Sequence, residues 1–255
     1  MGRIVAIVLV VLVGIGAVGW YLQREPAQHS DAATMVQKPL PLPPSATQPI
    51  RRNEPQPDVT APGIATPESL DGSDGAVRGS IHALAPTLVT WLTPEEQLRK
   101  WVALVDAVAE GKLPAKNLPL KYPMQGFSVV AQGDEDVSIN PANFNRANLL
   151  IETITAIPPR KFADYYHAYS PLLERAYAEL GRGGNFEARL TLAIQKVRDV
   201  KPLTADAKLA RPKFYYTYAD PALEQSSDVA KLLWRLGPAN QQQLQSYLGE
   251  LQPLL

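Results

Sequence analysis

A long uncharged and strongly apolar stretch near the amino terminus limits how this chain can fold. Twelve of the nineteen residues from 4 to 22 are Ile, Val or Leu. As a helix, this stretch would be about 28 Å long, close to the roughly 30 Å hydrocarbon thickness of a bilayer. Trp20 and Tyr21 stand at its far end, where aromatic side chains prefer the membrane interface. The sequence therefore predicts one transmembrane helix that contacts the lipid bilayer through residues 4–22.

The predicted orientation leaves the amino terminus in the cytoplasm and passes the rest of the chain across the membrane. Arg3 precedes the span, whereas Arg24 is followed at once by Glu25, and positive charge favours the cytoplasmic side. A cleavable signal peptide, which would release a secreted soluble protein, is the alternative. The apolar run is longer than the roughly 7 to 15 residues usual in such peptides. A retained membrane anchor over residues 1–22 is therefore favoured.

Residues 23–78 are predicted to form a disordered linker. They contain ten of the chain's 24 prolines and no sustained apolar periodicity that could offset the entropy of ordering. As a flexible coil, a segment of this length has a mean span of about 40 Å. The domain that follows can then sample a broad shell above the membrane.

Residues 79–255 are predicted to form one mainly helical domain. Apolar residues recur there at three- and four-residue steps, which is typical of helices. A capping box at residues 93–96 predicts the start of the first helix, and Pro171 is expected to kink or divide a later one. Further helices are expected to begin near Asn140, Lys161, Asn185, Ser227 and Pro238.

Three short segments have the alternating pattern of strands. Residues 127–130 and 137–139 flank an acidic loop at 133–136, which indicates a hairpin, and residues 213–218 alternate aromatic with polar side chains. The predicted fold class is a helical bundle with a small β-hairpin or sheet element, preceded by the transmembrane helix and the linker.

Composition excludes several classes of function. The 25 basic and 25 acidic residues cancel, so no nucleic-acid partner is predicted. There is no Cys, and His82 and His167 are the only histidines of the domain, too far apart to share a helix face. No metal site and no cofactor are therefore predicted. The oligomeric state stays open.

Asp220 and Glu224 are the candidate catalytic residues. They are four residues apart after an aromatic strand, with Pro221 suited to the first turn of a helix. This spacing would bring two acids to one helix end, as a glycan-cleaving envelope hydrolase needs. The alternative is structural, with Asp220 as a helix cap and Glu224 as a surface or ion-paired acid.

Arginines beside apolar helical stripes suggest a second kind of site. Arg146, Arg175, Arg189 and Arg235 each occupy such a position, and a guanidinium near a core normally needs a carboxylate. The candidate partners are Asp106, Glu174 and Asp220. The pairs would either fix helix register or line an anion-binding cleft.

Six motifs occur in order along the domain. They are WVALVD at 101–106, NPANFNR at 140–146, YSPLL with AYAELG at 169–181, NFEAR at 185–189, YADPALE at 218–224 and KLLWRLGP at 231–238. With these motifs the chain resembles a bacterial family of single-pass membrane proteins known as the domain of unknown function 3014. The resemblance implies a membrane helix, a proline-rich spacer and this domain, and it implies no activity. Ala147 departs from the aromatic residue expected after Arg146, which puts a stacking role there in doubt.

The motifs complete a set of candidate ligand-binding or structural polar residues. The set comprises Asp106, Asn143, Arg146, Arg189, Lys231 and Arg235. No complete catalytic constellation accompanies it. The sequence therefore favours a module anchored in a bacterial inner membrane, with its domain in the periplasm, that binds or scaffolds an envelope protein or glycan. A tethered hydrolase is the alternative.

Overall fold

The computed structural model describes residues 64, 66–131, 137–204, 207–212 and 215–255. The predicted transmembrane helix and most of the predicted linker lie outside these residues. The described part is mainly helical with one small antiparallel sheet, as the sequence predicts. Its α-helices are α1 (Asp74–Leu84), α2 (Pro86–Val89), α3 (Gln97–Ala109), α4 (Asn148–Thr155), α5 (Pro159–Ala178), α6 (Phe186–Arg198), α7 (Pro221–Glu224), α8 (Asp228–Leu236) and α9 (Pro238–Leu251). Two 3₁₀ helices, Pro141–Ala147 and Gln252–Leu254, precede α4 and follow α9.

Helix α3 lies at the centre of the main core. Its apolar residues Leu98, Trp101 and Val105 are almost fully buried, and the helix packs against α5 and α6. Helix α9 packs on α4, α5 and α8. The apolar stripes that the sequence marks on these helices therefore form one continuous core.

The start of α3 differs from the predicted capping box. Glu95 and Glu96 have positive φ angles of 56° and 52°, so the helix begins only at Gln97. The cap comes instead from Asp74 at the start of α1, whose carboxylate accepts the Glu96 and Gln97 backbone N–H groups at 2.8 Å. The predicted capping box at residues 93–96 is therefore wrong. The amides at the start of α3 are satisfied by the carboxylate of Asp74, which lies more than twenty residues earlier in the chain.

Helix α5 runs without division through Pro171. Proline removes one backbone hydrogen bond, but Tyr169, Leu172 and Leu173 around it are buried in the main core. Packing in the main core therefore keeps α5 a single helix, although Pro171 was expected to kink or divide it.

The start of α6 is capped twice. The Asn185 side chain accepts the Ala188 N–H at 2.8 Å, which confirms the predicted cap. Glu174 of α5 accepts the Phe186 N–H at 2.8 Å. Glu174 is thus a cap rather than the arginine partner that the sequence suggested.

The sheet has the order β1-β2-β3-β4, with each strand antiparallel to the next. Its strands are β1 (Val129–Ala131), β2 (Val137–Ile139), β3 (Lys208–Ala210) and β4 (Thr217–Tyr218). The sequence pattern predicts β1, β2 and β4 but not β3, because Leu209 is the one buried residue of that strand. The predicted loop at 133–136 lies outside the described residues. Leu209 and Tyr218 pack on Ala230 and Trp234 of α8 to form a second, smaller core.

Ordered structure begins before residue 79, where the sequence placed the start of the domain. Helix α1 spans that boundary, and its Val77 and Ile81 are fully buried. Upstream of it, Ile64 and Leu70 pack on the main core. Val77 and Ile81 are four residues apart and therefore lie on the same buried face of α1. The sequence places the start of this helix in the linker because prolines are abundant just before it.

Candidate functional site

Asp106 and Arg189 form a half-buried ion pair, one of the two arrangements that the sequence suggests for these residues. The Arg189 Nε lies 2.6 Å from Asp106 Oδ1, and only 7% of the Asp106 side chain is exposed. Arg182 binds the other oxygen, Oδ2, at 2.8 Å. The pair joins α3 to α6 and therefore fixes their register.

Glu110 extends this pair into a four-residue network with Asp106, Arg182 and Arg189. Its Oε1 lies 2.7 Å from Arg182 Nη1 and 3.0 Å from Arg189 Nη2. A hydrogen bond from Lys112, together with the charge of Arg182, lowers the pKa of the Glu110 carboxyl. Both guanidinium groups are thus engaged by both carboxylates, so the network stabilises the helix pair.

Asp220 and Glu224 stand at the start and the end of α7, and Lys231 of α8 contacts Glu224. The Asp220 Oδ1 accepts the Ala222 N–H at 2.8 Å. The Glu224 Oε2 accepts the Tyr218 N–H at 2.9 Å, and Lys231 Nζ donates to the Glu224 carbonyl oxygen at 3.1 Å. Both carboxylates accept backbone donors, which is the arrangement of the structural alternative.

Arg235 lies beside the buried hydroxyl of Tyr218. Burial raises the pKa of Tyr218 to about 12, against the opposing effect of the positive charge of Arg235. The Tyr218 ring stands edge-on to Trp234, with centroids 5.4 Å apart and planes at 87°. The Tyr218 ring therefore packs against the Trp234 side chain.

Asn143 and Arg146 occupy the 3₁₀ helix before α4. The Asn143 Oδ1 accepts the Ser128 N–H at 2.9 Å, and its Nδ2 donates to the Ser128 carbonyl at 2.6 Å. Arg146 stands over the Phe127 ring, 5.8 Å from the centroid. Both side chains thus hold this helix against the residues that lead into β1.

An open apolar cleft of about 510 Å³ lies between the sheet, the 3₁₀ helix and helices α8 and α9. Its apolar lining consists of Val130, Ile139, Pro141, Phe144, Leu203, Ala207, Trp234 and Pro238. Ser138, Thr204 and Gln241 are its polar lining residues. A cleft of this size and composition matches the usual features of ligand sites.

Hydrogen bonds fix the walls of the cleft. The Trp234 Nε1 donates to the Lys201 carbonyl at 2.9 Å, and the Gln241 Nε2 donates to the Val200 carbonyl at 2.8 Å. Asn240 Nδ2 donates to the Phe144 carbonyl at 2.8 Å. The site is therefore held in place by three side chains of α8 and α9.

The sequence does not predict this cleft, because its lining comes from segments that are up to 111 residues apart, from Val130 to Gln241. Phe144 and Trp234 lie inside recognised motifs, and Trp234 is four residues after Ala230 on the apolar face of α8. In a sequence, that spacing indicates core packing, and Trp234 does belong to the smaller core as well as to the cleft wall. None of the candidate polar residues lines the cleft.

The described residues contain neither a cluster of metal ligands nor a helix able to span a membrane. No group of three or more His, Asp or Glu side chains is placed to hold a metal ion in this part of the chain. None of the helices placed by the structure combines the length and the apolar character needed to cross a bilayer.

Fold and cleft together define a mainly helical domain with a small sheet and a candidate binding site. A family model described as a protein of unknown function (DUF3014) matches residues 97–252, and the chain belongs to this family. The match extends from α3 into the final 3₁₀ helix and confirms the resemblance drawn from the six motifs. No curated protein and no solved structure matches the chain.

Proposed function

We propose that this protein is a bacterial cell-envelope binding module. The apolar residues 4–22 anchor it in the inner membrane with the amino terminus in the cytoplasm, and the folded domain faces the periplasm. The domain binds an envelope component in the apolar cleft. This assignment of location rests on the sequence of the anchor and on its predicted linker.

The observation that supports binding is the cleft itself. Its volume of about 510 Å³ falls within the range of ligand pockets, and its walls are braced by Tyr218, Asn240 and Gln241. Walls held in this way lose little conformational entropy when a ligand binds. The candidate carboxylates Asp106, Asp220 and Glu224 are engaged in an ion pair and in backbone hydrogen bonds, so the cleft is the better candidate site.

A reporter fusion tests the location. Alkaline phosphatase fused after Leu255 should be active, because that enzyme matures only outside the cytoplasm, while a fluorescent protein that matures in the cytoplasm should stay dark there. Deletion of residues 4–22 should reverse both signals. Phosphatase activity that is absent from the full chain would contradict the proposed topology.

Photocrosslinking in living cells tests the cleft. A photoreactive amino acid at position 203, which lines the cleft, should give an adduct with an envelope component. The same amino acid at position 192, on an exposed part of α6, is the control. Equal labelling at the two positions, or labelling at 203 that survives a charged substitution at Val130, would contradict binding in the cleft.

A further inference from the structure

The lining of the cleft determines what kind of ligand can fill it. Among the described residues, no charged side chain lines it. Three of its residues are polar, and the Gln241 amide already donates to the Val200 carbonyl. The largest side chains in the walls are those of Phe144, Leu203 and Trp234. An uncharged ligand with few hydrogen-bonding groups is complementary to such a lining.

Other classes of ligand need more polar partners than the cleft provides. An anionic nucleotide would need basic side chains, and a sugar ring would bring several hydroxyl groups that each require a donor or an acceptor. An extended peptide would bury one backbone N–H and one carbonyl for every residue. A saturated hydrocarbon chain has no polar group along its length, so each methylene gains from burial without a penalty.

We propose that the cleft binds one acyl chain of an envelope lipid. This inference rests on the proposed function, because the predicted anchor and linker would keep the domain within reach of the bilayer that supplies the lipid. The hydroxyls of Ser138 and Thr204 are the groups in the lining that can meet the polar end of the chain. The lipid headgroup stays in solvent at the open side of the cleft.

The test uses the full chain in vesicles of phosphatidylethanolamine that contain a small fraction of a phospholipid with a diazirine on its acyl chain. After irradiation, mass spectrometry locates the modified peptides. Residues 4–22 serve as an internal control, because an anchored span must be labelled. The inference predicts further labelling on peptides that contain Leu203 or Trp234.

Two matched substitutions separate cleft binding from random contact. Val130 lines the cleft and is 39% exposed, and Leu192 is 37% exposed on α6. Val130→Glu places a charge at the cleft and should reduce labelling of the Leu203 and Trp234 peptides at least tenfold. Leu192→Glu should leave that labelling unchanged, and neither substitution buries a charge.

The outcomes distinguish this inference from the proposed function. Labelling of the anchor without labelling of the cleft peptides would overturn the lipid inference, while a cleft adduct with another envelope component in cells would still support the binding module. The lipid inference would also be overturned if Val130→Glu left the labelling of the Leu203 and Trp234 peptides unchanged. Loss of anchor labelling together with inactive phosphatase fusions would contradict the proposed location itself.

Discussion

At the scale of single residues, a few side chains connect distant parts of the chain. Asp106 joins α3 to α6 through Arg189, and Gly237 allows the 3₁₀ helix to approach the junction of α8 and α9. Each of these positions depends on a property that few other residues share. Asp106 supplies a half-buried negative charge, and Gly237 supplies a backbone conformation with no side chain.

Replacing Asp106 tests the half-buried ion pair. Asp106→Asn keeps the size of the side chain but leaves Arg189 and Arg182 without one of their two carboxylates, so the free energy of unfolding should fall by about 2–3 kcal/mol. Urea denaturation at neutral pH would measure this change. Lys112→Gln is the control, since Lys112 is 70% exposed and its pairing should contribute about 0–1 kcal/mol. Equal losses in the two variants would show that the buried pair adds nothing.

Replacing Gly237 tests the close approach of two elements. Gly237 has φ 87° and ψ 161°, and a Cβ there would overlap the ring of Phe144. Gly237→Ala should therefore cost about 2–4 kcal/mol of unfolding free energy. Gly181→Ala is the matched control, because Gly181 has φ 67° but open space around it, and it should cost about 1–2 kcal/mol. Thermal and urea unfolding of both variants would measure these losses. If Gly237→Ala costs no more stability than Gly181→Ala, the predicted overlap with the Phe144 ring is excluded.

At the scale of elements, two helix starts receive a cap from another helix. The first amides of α3 bind Asp74 of α1, and those of α6 bind Glu174 of α5. Each cap therefore stabilises a pair of helices rather than one. The segment before α1 is attached in a similar way, since Arg175 of α5 donates to the Glu68 carbonyl at 2.9 Å.

Removing the cap on α3 should destabilise both α1 and α3. Asp74→Ala leaves the Glu96 and Gln97 amides without their carboxylate, at a cost of about 1–2 kcal/mol. Hydrogen exchange of those two amides should accelerate more than the global loss of stability explains. Asp71→Ala provides the control, since the Asp71 side chain is 88% exposed and pairs with Arg99 rather than with the α3 amides. Unchanged exchange at Glu96 and Gln97 would show that Asp74 does not cap the helix.

At the scale of the whole molecule, Arg99 links the start of the domain to the end of α5. Its Nε lies 2.6 Å from Glu179 Oε2, and its Nη2 lies 2.9 Å from Asp71 Oδ1. The hydrogen bond from Arg99 lowers the pKa of the Glu179 carboxyl below its usual value of 4.5. Because the folded-state pKa is depressed, this contribution to stability is present above pH 4.5 and is lost as the pH falls through the folded-state value.

This pH dependence can be measured by comparing the protein with Glu179→Gln. Above pH 5 the variant should be less stable, because Arg99 has lost one of its ionised partners. The difference should shrink as the pH falls below 4.5, because the Glu179 carboxylate of the unfolded chain then binds a proton that the folded ion pair disfavours, until the native carboxylate is protonated as well. Urea denaturation across this range would measure both curves. A difference that stays constant down to pH 3 would contradict the role of the Glu179 charge.

Much of the helical architecture follows from the sequence. Apolar residues at three- and four-residue spacing predict the core faces of α3, α5, α6, α8 and α9, because a helix brings such residues to one side. The caps Asn185 and Ser227 are confirmed, since their side chains bind amides only three residues away. Local spacing is sufficient wherever the interacting groups are near neighbours along the chain.

Other features were decided only by the tertiary structure. The cap on α3, the continuity of α5 through Pro171 and the strand β3 all depend on partners that are far away in sequence. The candidate site shows the same division. Asp106 and Arg189 were recognisable as polar residues on apolar helices, whereas the cleft exists only where the sheet, the 3₁₀ helix and two helices meet. A sequence states which side chains must be buried or charged, but the space left between distant segments is set by how their surfaces pack.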